Sequence, residues 1–197
     1  MLLDSLHTTA GLRQVTRLGI ASEAAIRKRV CRSVSKHGRL RWAKLFRMRK
    51  LTPKAAPKAE ASAQASAQAE ALPIKLEIAA GTGDWVIAQA LADEGQAAWT
   101  AVELRHDRVY SIFSRMALQA VPNLCVLGGD AAAIVEHHLQ PKTISHAFIN
   151  FPEPPSGKDG VDEASNEFAL LTPTLFRNLH RLLVPGGRLT IFSDNGR

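Results

Sequence analysis

The sequence predicts an α/β fold, a parallel sheet with helices on both faces, and three observations carry that reading. From about residue 74 onward, short apolar runs alternate with stretches of helical spacing. The first run breaks into a glycine turn, Gly81-Thr82-Gly83, and then into a helical pattern. Five such runs joined by helices require crossover connections, and right-handed crossovers place helices on both sides of a parallel sheet. No run approaches the roughly 18 consecutive apolar residues of a membrane span.

Each element has its own signal. Ile74 to Ala79 reads as a buried strand, and Val86, Ile87, Ala90 and Leu91 mark the apolar face of the helix after the glycine turn. Trp99 to Leu104 is a second strand. Asp107 is then expected to cap a helix whose core face is Val109, Tyr110, Phe113, Met116, Ala117 and Ala120, stopped by Pro122. Leu124 to Leu127 is a third strand running into Gly128-Gly129-Asp130, and Ala131 to Leu139 a short helix. Ile144 to Phe151 is a fourth strand, entering a proline-rich turn. Thr172 as N-cap and Pro173 at the first helical position open the next helix, whose apolar face is Leu175, Phe176, Leu179, Leu182 and Leu183. Pro185-Gly186-Gly187 turns into a fifth strand, Arg188 to Phe192.

The net charge of +7 is unevenly spread. Of 25 Lys and Arg, 15 fall in residues 1–58, where only Asp4 and Glu23 oppose them, so the remainder is mildly acidic. Residues 1–51 read as a basic N-terminal arm or an organelle transit segment, 52–72 as a low-complexity Ala, Pro, Gln and Ser linker, and 73–197 as the globular domain. Within the arm, apolar residues recur at helical spacing among the cations. That pattern suits a transit peptide for a mitochondrion or plastid, an RNA-binding arm, or a solvated tail in a cytoplasmic or nuclear protein. The two cysteines do not make a disulfide framework.

Ligands of open parallel sheets bind at the carboxyl ends of the strands. Acids recur there: Glu77 in the first strand, Glu103 near the end of the second, Asp130 after the third, Glu153 after the fourth and Asp194 after the fifth. Any one of them could be a helix cap or a solvated loop charge, whereas five on one edge point to a site. Glu103, about 20 residues past the glycine turn, suits both hydroxyls of a ribose. A dinucleotide site would place a third glycine where Val86 stands. Its absence, with Asp130 available to an adenine amine, favours S-adenosyl-L-methionine over a dinucleotide.

The succession Leu-Glu-Ile-x-x-Gly-x-Gly, an acid closing strand two, Gly-Asp-Ala, Asn150-Phe151-Pro152-Glu153-Pro154, Leu-x-Pro-Gly-Gly-x-Leu and Ser-Asp-Asn resembles class I S-adenosylmethionine-dependent methyltransferases with a Rossmann-like sheet. More narrowly it is similar to the tRNA (guanine-N7) methyltransferases, which modify guanosine 46 of the variable loop. The resemblance implies that Glu77 and Glu103 bind the cofactor's amino-acid and ribose portions and Asp130 its adenine side. Gly81 and Gly83 would form the cofactor loop, and Asn150 would line the pocket. It implies that Glu153 is the active-site acid and that Asp194 meets the target nucleotide, with tRNA as substrate and, as in eukaryotic members, a WD-repeat subunit as a possible partner.

The pattern also departs from its relatives. Glu153 stands where Asp is usual, Ala79 where a glycine is usual, and Lys158 lies one place later than the matching RNA-contacting lysine. The family adds two strands after the fifth, so the methyltransferase domain is expected to be C-terminally incomplete. Two other readings follow from those departures: a class I methyltransferase with another nucleic-acid or small-molecule substrate, and a non-catalytic RNA-binding remnant.

Overall fold

A computed structural model describes residues 32–46, 72–152 and 169–194. Its centre is a five-stranded, wholly parallel sheet in the order β3-β2-β1-β4-β5. The strands are β1 (Ile74–Ile78), β2 (Ala98–Glu103), β3 (Leu124–Gly128), β4 (Ile144–Asn150) and β5 (Leu183–Phe192). Chain order runs outward from β1 to β3, then jumps back across β1 to β4. The switch point therefore lies between β1 and β4, the place at which open parallel sheets bind ligands.

The helices are α1 (Trp42–Leu45), α2 (Asp84–Ala92), α3 (His106–Leu118), α4 (Ala131–Ala133) and α5 (Pro173–Leu182). A π-helical turn, Ile134–His138, continues α4. Because strand residues alternate between faces, the core divides in two. One cluster joins Leu76, Ile78 and Val102 to Val135, Leu175, Leu179 and Leu182. The other joins Trp99, Ala101 and Val126 to Val86, Ile87, Val109, Ile112 and Met116. Thr172 caps α5 as expected, its hydroxyl accepting from Leu175 N–H at 3.1 Å with Pro173 in the first turn.

Two local expectations are corrected. Helix α3 begins at His106, so Asp107 lies inside its first turn and pairs with Arg105 at 2.7 Å instead of capping the backbone. Its buried stripe is Val109, Ile112 and Met116, while Tyr110 is 62% exposed. The apolar pattern of that helix is ambiguous because Tyr110, Phe113 and Ala117 repeat at the same spacing one step around the cylinder.

Residues 32–46 belong to the compositionally basic stretch, yet they pack on the sheet. Leu40, Trp42 and Leu45 are buried in the first core cluster. Leu40 N–H donates to His138 O at 2.8 Å, and Gln140 Nε2 donates to Leu40 O at 2.7 Å. The cations Arg32, Lys36, Arg41 and Lys44 remain on the outer surface. Residues 1–31 and 47–71, which hold the rest of the targeting, arm and linker readings, lie outside the described residues.

Candidate active site

The site is built on strand ends at the switch point. Glu77 sits between Leu76 and Ile78, which face the first core cluster, so its side chain turns to the opposite face. Asn150, closing the neighbouring strand, turns the same way and donates from Nδ2 to Glu77 Oε1 at 2.8 Å. Glu77 is 2% exposed, and its other oxygen, Oε2, has no hydrogen-bond partner among the described residues. Burial raises the carboxyl to about 7, opposed by the Asn150 bond and reinforced by the charge of Glu103. A buried carboxylate with one vacant acceptor is costly on its own and suits a cationic donor.

The loop after β1 winds through three left-handed residues, Ala79 at φ 58°, Gly81 at 58° and Gly83 at 82°. Gly83 is the N-cap of α2, and a Cβ there would meet Ile112 Cγ1 at 2.6 Å, so both its conformation and its close packing require glycine. Around Gly81 there is open space, which leaves its backbone approachable by a ligand. Ala79 holds its left-handed conformation at a cost of roughly 1–2 kcal/mol that glycine would not incur.

Glu103 is 4% exposed and grips the loop: Gly81 N–H donates to Oε2 at 2.8 Å, and Arg105 N–H donates to Oε1 at 2.9 Å. Each carboxylate oxygen retains a second lone pair for a ligand hydroxyl. Asp130 caps α4, accepting from Ala133 N–H at 2.7 Å through Oδ1. Its backbone neighbour Gly129 donates to Glu103 O at 2.9 Å, which ties the ends of β2 and β3 together.

The described strand ends thus gather Glu77 with Asn150, and Gly81 with Glu103, on adjoining strands. Asp194 is exposed beyond the end of β5, two residues after Phe192, which is in register with Asn150. Glu153 and Lys158 lie outside the described residues.

A family model described as "Putative methyltransferase" matches residues 71–196. The chain belongs to that family. It is 34% identical over 124 residues to a tRNA (guanine-N(7)-)-methyltransferase of Chlamydia muridarum, covering 62% of this chain and 52% of the relative. To the protein of the same name in Chlamydia pneumoniae it is 38% identical over 122 residues, again 62% and 52% of the two chains. The chain spans about half the length of the curated relatives it matches. Among solved structures, a SAM-dependent methyltransferase from Aquifex aeolicus aligns with a TM-score of 0.47 and 15% identity over 64% of this chain and 61% of that one.

Within this family domain, three arrangements escaped the sequence. The first is the double grip of Glu103 on Gly81 and Arg105, since backbone donors have no compositional signal. The second is the link from Arg115 in α3 to Asp84 at the start of α2, which braces the helix that opens at the glycine loop. A salt bridge across 31 positions cannot be paired from spacing. The third is the exposed ring pair Phe151 and Phe192 at the site's edge, where only the residue type was visible. Among the described residues, no helix is long and apolar enough to cross a membrane.

Proposed function

We propose that this chain binds S-adenosyl-L-methionine at the β1/β4 switch point and methylates guanine N7 in tRNA, at position 46. The observation that carries the reading is the buried Glu77 carboxylate, whose Oε2 lacks a partner among the described residues beside an approachable glycine loop. The amino-acid end of the cofactor has an ammonium that fits this acceptor, its ribose hydroxyls fit the spare lone pairs of Glu103, and Asp130 Oδ2 suits its adenine amine. Relatives named tRNA (guanine-N(7)-)-methyltransferases support the choice of substrate.

When bound, the cofactor supplies an electrophilic methyl carbon on a sulfonium. Guanine N7 already has a free lone pair, so the protein needs no base to create a nucleophile. Its work is to align the ring with the methyl group and to place negative charge near the purine as it becomes cationic. Glu153 is cast as the acceptor for guanine N1–H and the 2-amino group, which would fix the ring and distinguish it from adenine. Asp194 and Lys158 are cast as further nucleotide contacts.

Incubating the full chain with methyl-labelled S-adenosyl-L-methionine and total tRNA, then mapping the modified base, tests the proposal. Label at guanine N7 of position 46 is expected. Transfer to another atom or substrate would move the chain to a different methyltransferase class, and cofactor binding without transfer would make it a binding remnant. Transfer by the chain alone would also remove the need for a WD-repeat subunit.

A further inference from the structure

Beside Asn150, the chain does something unfavourable. Phe151 adopts φ 49°, a left-handed conformation that costs an aromatic residue energy, and it does so immediately before Pro152, where the backbone is restricted further. The hydrogen bond from Phe151 N–H to Phe192 O at 2.7 Å holds it there. The result is an exposed ring, 57% accessible, set edge-on to Phe192, itself 60% accessible. Their centroids are 5.2 Å apart at an interplanar angle of 78°. Neither burial nor hydrogen bonding of the side chain explains this placement. Strain that displays an apolar ring at the edge of a ligand site is the kind of outlier from which function is inferred.

Topology says which ligand the pair faces. In the order β3-β2-β1-β4-β5, the groups suited to ribose and adenine, Glu103 and Asp130, lie on the β2/β3 side of Glu77. Phe151 and Phe192 lie on the other side, at the ends of β4 and β5, and Asp194 follows two residues later. A second planar ring thus has its own half of the edge, with an exposed carboxylate close in sequence to accept from ring N–H groups.

We propose that Phe151 and Phe192 form a stacking platform for the target purine, one ring lying against the base and the other bracing it. This deepens the RNA-methyltransferase reading and rests on it for the identity of the base as guanine. Stacking on an aromatic side chain contributes affinity with any base, so the platform would hold the purine while the nearby acids select it. Phe192 is the cleaner of the two to test, because its backbone is ordinary strand and its ring is exposed.

The test compares the full chain with Phe192→Leu, Phe151→Leu and Phe192→Trp in equilibrium binding to guanosine monophosphate and to ribose 5-phosphate, which lacks the base. The parent protein should prefer the nucleotide, Phe192→Leu and Phe151→Leu should each cut that preference by about tenfold, and Phe192→Trp should retain it. Affinity for S-adenosylhomocysteine and the melting temperature should not change in Phe192→Leu. The proposal is overturned if Phe192→Leu keeps the parent's preference, or if it weakens S-adenosylhomocysteine to the same extent, which would assign the ring to the cofactor's adenine. Labelled-methyl transfer to tRNA by the parent is scored separately. Transfer with an unaltered base preference in Phe192→Leu removes the platform alone, and a ring-dependent preference without transfer removes the substrate reading alone.

Discussion

At the residue scale the decisive group is Glu77. Its carboxyl is raised to about 7 because burial disfavours the charge more than the Asn150 amide favours it. The folded protein therefore holds a proton that the unfolded chain releases between about pH 4.5 and 7. This group's contribution to stability is present on the acid side and is lost as pH rises through that window, by on the order of 3 kcal/mol. A cationic ligand reverses the preference, since its ammonium requires the ionised carboxylate. S-adenosylhomocysteine should consequently bind the parent about tenfold more weakly at pH 6 than at pH 8, while Glu77→Gln should bind weakly with no such dependence. Isothermal titration across that range decides the matter, and an equal pH profile in the two proteins would detach Glu77 from the cofactor. The sequence made Glu77, Glu103 and Asp130 visible because acids at strand ends are rare enough to notice. It could not show that Glu77 and Asn150 bond across 73 positions, nor that Asp130 spends one oxygen on a helix cap, because both depend on how strands lie side by side.

At the scale of elements, residues 32–46 act as a strap across the first core cluster. Apolar side chains at Leu40, Trp42 and Leu45 point inward, with a backbone bond to His138 on the π-helical turn and the Gln140 amide bonding Leu40 O. A strap that merely rested on the surface would contribute little when trimmed. One that completes the core should behave as part of the cooperative unit. Leu40 is fully buried, so Leu40→Ala is expected to lower unfolding free energy by about 2–5 kcal/mol in urea denaturation, without changing cofactor affinity in the native baseline. A loss below about 0.5 kcal/mol, within the range of surface substitutions, would show the strap to be uncoupled from the sheet. Strands β1 to β4 and the start of α5 were legible because they combine apolar runs with clear stop and start residues, Pro122, Thr172 and Pro173 among them. By contrast, β5 begins at Leu183, ahead of the Pro185-Gly186-Gly187 turn expected to precede it, and Phe176 lies exposed instead of on the buried face of α5. The strap was legible in part: Trp42, Leu45 and Phe46 stand at helical spacing, but five cations in 15 residues hid that this face docks on the sheet. Helix α3 failed in phase for a related reason: apolar residues on two adjoining faces give periodicity a choice that only packing against β2 and β3 resolves.

For the whole molecule, the relevant quantity is where charge is held. Outside residues 1–58 there are 10 Lys and Arg against 16 Asp and Glu, a net negative charge that does not favour a polyanion. Within the strap, Lys36, Arg41 and Lys44 are exposed, and no Asp or Glu occurs among residues 32–46. Docking by Leu40, Trp42 and Leu45 fixes these cations relative to the sheet, so a phosphate backbone meeting them would not have to order a free tail first. An RNA-binding role for the strap therefore makes a prediction that separates it from a purely structural one. The triple variant Lys36→Gln, Arg41→Gln and Lys44→Gln leaves the buried residues alone and should melt with the parent. Its affinity for an unmodified tRNA transcript should fall, and the slope of log affinity against log salt should flatten by about 2–3, because each phosphate that a cation neutralises releases roughly one counterion. Filter binding over a range of potassium chloride concentrations measures that slope directly. An unchanged slope with an unchanged melting temperature would leave the strap as core alone and require the acidic domain to draw its phosphate contacts from residues outside it.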